Sequence, residues 1–243
     1  MEATLEHLAA AAHAGGDILR RHFGNHVEVK VKSAAADFQT SADLASEAAI
    51  LAILAQEFPS YNIHAEERGK IAKGSEFTFV VDPLDGTNNF VLGVPYFSVS
   101  IALLQRDRII AAVVHQPMTG HTYTAQDGGG AFSDGTPIRV NQQSDLRHAT
   151  LAYIAPYGNT PEVECDFPRP FFAAGIKRLL TFWSPALEFC LLASGKIEAV
   201  VHNGSEFYDF AACKLIGPGS GSKNHDVCRR AGSLGSPRKV SGQ

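Results

Sequence analysis

Leu5, Leu8, Ala12, Leu19 and Phe23 recur at helical spacing, so residues 2–23 read as an amphipathic helix facing a core. Gly15-Gly16 weakens its middle, and a bend or break is expected there. Gly24 is its C-terminal stop. Residues 26–32 alternate with period two and read as an exposed strand, and residues 34–39 as a linker. Thr40-Ser41 opens a second helix with Leu44, Glu47, Leu51, Leu54 and Phe58 on one stripe, closed by Pro59. Asp43 falls in its first turn, where a carboxylate suits the helix dipole.

Beyond Pro59 the period shifts toward strands. Residues 61–65 and 77–81 are short apolar runs separated by a Gly/Lys-containing turn over 69–75. Residues 97–104 and 109–115 form a hairpin through a charged turn, and 122–125, 131–132 and 138–140 continue an antiparallel meander. The second half alternates: strand at 149–154, a loop-rich stretch at 156–170 and the end of a helix at 171–175. A strand at 178–182, a helix at 185–194, a strand at 197–202 and a helix at 209–216 follow. Residues 217–243 are rich in Gly, Ser, Lys and Arg without apolar period, so they read as a disordered tail beyond a folded domain at 1–216.

Composition narrows the class. At 243 residues, 45% hydrophobic and 19% charged, the chain can bury a sizeable core. A net charge of −4 speaks against a general nucleic-acid binder. No apolar run reaches membrane-spanning length, and the early Glu2 and Glu6 do not suit a signal peptide. Cys165, Cys190, Cys213 and Cys228 are widely spaced and read as reduced thiols of a cytoplasmic protein.

Chemistry concentrates where the strand at 77–81 ends: Asp82-Pro83-Leu84-Asp85-Gly86-Thr87. Pro83 removes a ladder donor, Gly86 permits close backbone approach, and Thr87 suits the N-cap of a short helix. Two carboxylates three residues apart, beside backbone N–H groups, suit a hard divalent cation together with a phosphate. Phosphatases that use an aspartyl nucleophile also place Asp-Gly-Thr after an apolar strand, but their two aspartates are one residue apart. Here Pro83 and Leu84 both intervene, which disfavours a covalent aspartyl route.

Asp82 to Phe90 closely resembles the DPxDGTxNF signature of the inositol monophosphatase family, magnesium-dependent and lithium-sensitive phosphatases. Glu66-Glu67 is similar to the family's paired glutamates, Asp43 to its early aspartate, and Tyr208-Asp209-Phe210-Ala211-Ala212 to its second signature, WDxAAG. The resemblance implies an α+β fold in the layered αβαβα sugar-phosphatase arrangement, a homodimer, and hydrolysis of a small phosphate monoester with no nucleic-acid or membrane partner. It also implies two Mg²⁺ ions, with room for a weaker third. Glu66, Asp82 and the Leu84 carbonyl would hold the first; Asp82, Asp85 and Asp209 the second. Gly86 and Thr87 would bind phosphate, and Thr87, Asp43 and Glu66 would serve catalysis. Asp85, Ser184, His202 and Asp209 would face the substrate. Lys32 lies near that site or is a solvated strand-end lysine, and Glu67 reads as a surface charge.

Three departures stand out. Tyr208 replaces the Trp of the second signature and Cys213 its closing Gly. His202 stands where inositol-specific members carry a glutamate, and Trp183-Ser184-Pro185-Ala186 where the family reads Gly-Ser-Ala-Ala. The pattern is lost after residue 216, which reads as a shifted frame or a truncation. The altered pocket leaves inositol monophosphate, histidinol phosphate, a sugar phosphate and a 3′-phosphonucleotide as substrates, with a binding or regulatory homologue as the non-enzyme alternative.

Overall fold

The computed structural model of the chain describes residues 4–34, 37–204 and 207–222. Two helices lead: α1 (Leu5–His22) follows Thr4, and α2 (Ser41–Glu57) follows Thr40. Between them β1 (Val29–Val31) and β2 (Phe38–Thr40) pair antiparallel, so the end of the expected linker is strand.

The expected break at Gly15-Gly16 does not occur. Both glycines are buried inside a continuous α1, and their missing side chains let neighbours approach. A Cβ on Gly15 would lie 2.7 Å from Ile50 Cδ1, and one on Gly16 would lie 2.5 Å from His115 Cδ2. Tertiary packing thus outweighs the weak helix propensity. On α2 the inward face is Ala42, Asp43, Ser46, Glu47, Ile50, Leu51 and Leu54, whereas Leu44 points outward and is about half exposed.

The meander is one large sheet. β3 (Asn62–Ala65), β4 (Gly69–Ile71), β5 (Phe77–Asp85), β6 (Ser98–Gln105), β7 (Arg108–His115), β8 (Thr122–Gln126), β9 (Gly130–Ser133) and β10 (Thr136–Pro137) lie in the order β10-β9-β8-β7-β6-β5-β3-β4. β3 and β5 run parallel, and the other neighbours antiparallel. The strand period puts Val81, Ile101 and Val113 against α1 and α2. Val80, Ala102 and Val114 face the opposite side.

That opposite side is covered by α6 (Pro185–Ala193), α7 (Phe207–Ala211) and α8 (Cys213–Gly219). Next comes a parallel sheet, ordered β12-β11-β13, of β11 (Thr150–Ile154), β12 (Arg178–Leu180) and β13 (Ala199–His202). Ile154 and Val200 of this sheet join the core under α6, while Leu151 and Val201 pack with Phe171 of α5 (Arg169–Ala173) on the far side. α4 (Pro161–Asp166) precedes α5 in the stretch expected as loop. The layers therefore run helix, sheet, helix, sheet, helix: the α+β arrangement expected.

The folded part also passes residue 216. α8 continues to Gly219, with Gly217 and Ser220 buried, and Val140 N–H donates to the Ser220 carbonyl at 3.2 Å. Small residues let the backbone itself make these contacts, so no apolar period announces them. The expected tail beyond residue 222 lies outside the described residues, as does Cys228. Cys165, which is exposed, and Cys190, which is buried, are free thiols, and Cys213 is buried. Among the described residues no helix is long and apolar enough to cross a membrane.

Candidate active site

β5 does not stop at Pro83. It continues to Asp85 through a register shift against β6 between Asp82 and Asp85, so the two carboxylates leave an irregular strand end. Ser46 Oγ donates to the Pro83 carbonyl at 2.8 Å, and Leu84 N–H donates to Asp82 Oδ1 at 3.0 Å. Gly86 follows with φ +94°, and a Cβ there would meet Ser184 Cβ, the Trp183 carbonyl and the Tyr96 carbonyl at 3.2 Å. Only glycine suits both the angle and the space.

Gly86, not Thr87, is the N-cap of α3 (Thr87–Leu92). Thr87 is the first helical residue, and its hydroxyl lies 3.2 Å from Asp43 Oδ1 and 3.0 Å from the Leu84 carbonyl. Asp43 is fully buried, and its Oδ2 accepts from the Thr40 N–H at 2.8 Å and the Thr40 hydroxyl at 2.5 Å. Its capping role and its contact with Thr87 therefore coexist. Burial pushes the Asp43 carboxyl up to about 6, against the pull of the two Thr40 hydrogen bonds.

Asp85 is gripped from behind. Its Oδ2 accepts from Ser98 Oγ at 3.0 Å, from Ser184 Oγ, and from Ala186 N–H at 3.2 Å. Ser184 is thus fully buried behind Asp85 and does not line the cavity in front of it, contrary to the substrate-facing position expected. The reason is local: Trp183 has φ +58°, and the chain turns there so that Ser184 points inward.

Glu66 sits just beyond β3, and Lys32 Nζ reaches it and Glu67, each at 2.7 Å. Lys32 is therefore part of the site. Glu67 is no surface charge: its side chain is 2% exposed and also accepts from Gln39 Nε2. Glu47 of α2 secures the same turn, accepting from the N–H groups of Glu67 at 2.9 Å and Arg68 at 3.2 Å. Burial works against the charge on Lys32, but the Glu66 and Glu67 carboxylates more than reverse this, so its pKa is raised.

Lys32, Glu66, Asp82, Leu84, Asp85, Gly86 and Thr87 line one cavity of about 530 Å³. Its outer wall is aromatic, with Tyr153, Tyr157, Trp183 and Tyr208. His202 is not in that wall; it is exposed at the end of β13 with its ring 4.7 Å from that of Phe210. Asp209 belongs to α7, and its side chain lies outside the described residues. Among the described residues no three His, Cys, Asp or Glu side chains converge as a metal site; Glu66 is turned to Lys32, and Asp85 to Ser98 and Ser184. The donor chemistry is nevertheless that of a hard cation: carboxylate and carbonyl oxygens at one cavity end, with no sulfur or imidazole.

The sequence profile of the inositol monophosphatase family matches residues 1–235. The chain belongs to the inositol monophosphatase family. It is 35% identical over 214 residues to the Nus factor SuhB of Vibrio cholerae, covering 83% of this chain and 80% of that protein. It is 33% identical over 235 residues to the inositol-1-monophosphatase of Caulobacter vibrioides, covering 90% of each. The crystal structure of the extragenic suppressor protein suhB from Bartonella henselae superposes with a TM-score of 0.85 at 30% identity, covering 89% of this chain and 84% of that one. The family match runs past residue 216, where the sequence resemblance was expected to stop.

Gln39, Ser98, Glu47, Tyr153 and Tyr157 were not expected at the site, whereas Trp183 and Tyr208 belong to segments that were. Ser98 and Glu47 lie in apolar stretches that otherwise read as core, so no spacing singles them out.

Proposed function

We propose that the protein is a Mg²⁺-dependent phosphatase that hydrolyses a small phosphate monoester with water, without a covalent intermediate. The observation that carries this reading is the Asp43–Thr87–Leu84 contact at the rim of an oxygen-lined cavity. Glu66, Asp82, the Leu84 carbonyl, Asp85 and Asp209 would hold two ions, with a weaker third near Glu66. When bound, Mg²⁺ supplies the positive charge that offsets these carboxylates, activates water and stabilises the departing alkoxide.

The chain's own part is positioning and proton handling. Gly86 and Thr87 backbone N–H groups cradle the phosphate at the start of α3. Thr87 Oγ1 accepts a hydrogen bond from the attacking water and donates its own proton toward Asp43 Oδ1. Asp43, buried and raised toward neutrality, is a fitting proton acceptor behind it. Asp85, held still by Ser98, Ser184 and Ala186, faces the alcohol half of the ester. Water's oxygen bonds to phosphorus as the ester P–O bond breaks, one of its protons passes by way of Thr87 toward Asp43, and the departing oxygen takes a proton from solvent water and leaves as the alcohol.

The family's cytoplasmic location and homodimeric state belong to the same reading. A second reading, a binding role in gene expression, is favoured by the likeness to a relative named a Nus factor. Phosphate release from a panel of monoesters, with Mg²⁺, with EDTA and with Li⁺, separates the two. Turnover that needs Mg²⁺ and falls with Li⁺ is expected; no release from any ester with Mg²⁺ present would favour the binding role.

A further inference from the structure

Trp183 has a backbone that costs free energy. Three non-glycine residues among those described have positive φ, and two of them, Arg106 and Asp134, sit in the β6–β7 and β9–β10 turns. Trp183, at φ +58°, instead joins β12 to α6. Holding a bulky residue there costs about 1–2 kcal/mol, so the surroundings must impose it.

They do so from both sides. The wholly buried Glu188 accepts from Phe182 N–H at 3.0 Å. Asn89 Nδ2, from α3, donates to the Phe182 carbonyl at 2.6 Å, and Ser184 Oγ donates to Asp85. The strained turn is therefore tied to the two segments that carry the phosphate end of the cavity.

What the turn presents is an indole, 46% exposed. The Tyr157 ring, also exposed, lies 6.4 Å away at 59°. Both rings lie in the wall shared by the cavity and a neighbouring pocket of about 310 Å³, which continues along Pro156, Phe172 and Leu179. An apolar, aromatic trough thus leads outward from Asp85. Such exposed apolar surface marks a binding face, and flat rings select flat partners by stacking.

The geometry points to a ring-recognition subsite: the alcohol half of the substrate carries a planar aromatic or heteroaromatic ring, stacked on Trp183 beside Tyr157. This rests on the phosphatase reading for the other half of the molecule, and the test separates the two. Trp183 is the single tryptophan of the chain, so its emission reports on this position alone.

The full-length protein is titrated with benzylphosphonate and with propylphosphonate, neither of which can be hydrolysed. Benzylphosphonate should change the Trp183 emission and bind about tenfold more tightly, the size of one good aromatic contact. In turnover with Mg²⁺, 2-phenylethyl phosphate should exceed propyl phosphate in kcat/KM by a similar factor. In Trp183→Gly, which relieves the backbone strain, that ratio should fall to near one; Trp183→Asn, also tolerant of positive φ, repeats the test. Equal affinity for the two phosphonates, or a ratio that survives both substitutions, overturns the subsite. Ring-selective binding without release of phosphate from any ester would overturn the phosphatase reading and leave the subsite standing.

Discussion

Asp43 divides its two oxygens: Oδ2 accepts from the Thr40 N–H and hydroxyl, and Oδ1 faces the Thr87 hydroxyl. One carboxylate therefore starts α2 and supports the proposed proton path, and substitutions separate the roles. Asp43→Asn keeps the shape and one acceptor oxygen. Its cost in stability should be about 1 kcal/mol, the size of a lost cap contact. Its cost in kcat should be larger, about 10²–10³, because an amide cannot take the Thr87 proton. Thr87→Ala should match that loss, and Thr87→Ser should restore most of it. Steady-state kinetics with Mg²⁺ and urea denaturation give both quantities. Unchanged turnover in Asp43→Asn would reduce Asp43 to a capping residue. At this scale the acidic and threonine positions were legible because the signature segment is continuous in the chain. Ser184 was not, because its direction depends on the left-handed turn at Trp183, and no neighbouring residue type announces such a turn at a tryptophan.

Between elements, α1 meets the sheet through Gly16 and His115, at a contact that propensity alone misjudges. Gly16→Ala should gain about 1 kcal/mol of helix propensity. It would also drive a methyl to 2.5 Å from the His115 ring, and overpacking of this kind costs about 1–3 kcal/mol. A net loss of stability in urea denaturation is expected, partly recovered by adding His115→Asn; a more stable Gly16→Ala would contradict the packing. His115 also sets an acid limit. Burial, with the nearby His13 ring, lowers its pKa from 6.5 to about 4, while Asp17 and Arg20 pull in opposite directions. Thr122 Oγ1 bridges the two imidazoles at 3.0 Å from His115 Nδ1 and 2.9 Å from His13 Nε2. The unfolded chain takes up a proton below about 6.5 that the folded His115 refuses. Its contribution is thus complete above that pH and is lost as pH falls toward 4. Thermal denaturation from pH 7 to 4 should show a shallower acid decline in His115→Asn; an identical slope would remove His115 as its source. Helices and strands with a clear period were legible in order. β2, β4 and α4 were not, because each is too short to show a period: β2 and β4 are three residues long and α4 six.

Across the whole molecule, the proposed ligands come from separate parts of the fold: Glu66 from the β3–β4 turn, Asp82 and Asp85 from the end of β5, and Asp209 from α7. The large sheet and the helical layer behind it thus converge on one cavity. The family resemblance carried that convergence, since periodicity alone yields strands and helices but not which loops meet. The continuation of α8 past residue 216 carries no apolar period because it packs through backbone contacts of small residues. If Mg²⁺ binds these carboxylates in the folded chain alone, it stabilises the fold by mass action, about 2.7 kcal/mol at a hundred times its Kd. Carboxylates close enough to share ions also repel one another without them, which adds to the effect. Thermal denaturation should therefore rise with Mg²⁺ and fall with EDTA, and hydrogen exchange should slow in α7 together with the 82–87 segment. Asp82→Asn removes a carboxylate proposed to serve both ions, so it should fold, lose turnover and lose most of the Mg²⁺-dependent shift. A shift that persists undiminished in that variant would place the ions elsewhere; slowed exchange confined to 82–87 would exclude Asp209 from their coordination.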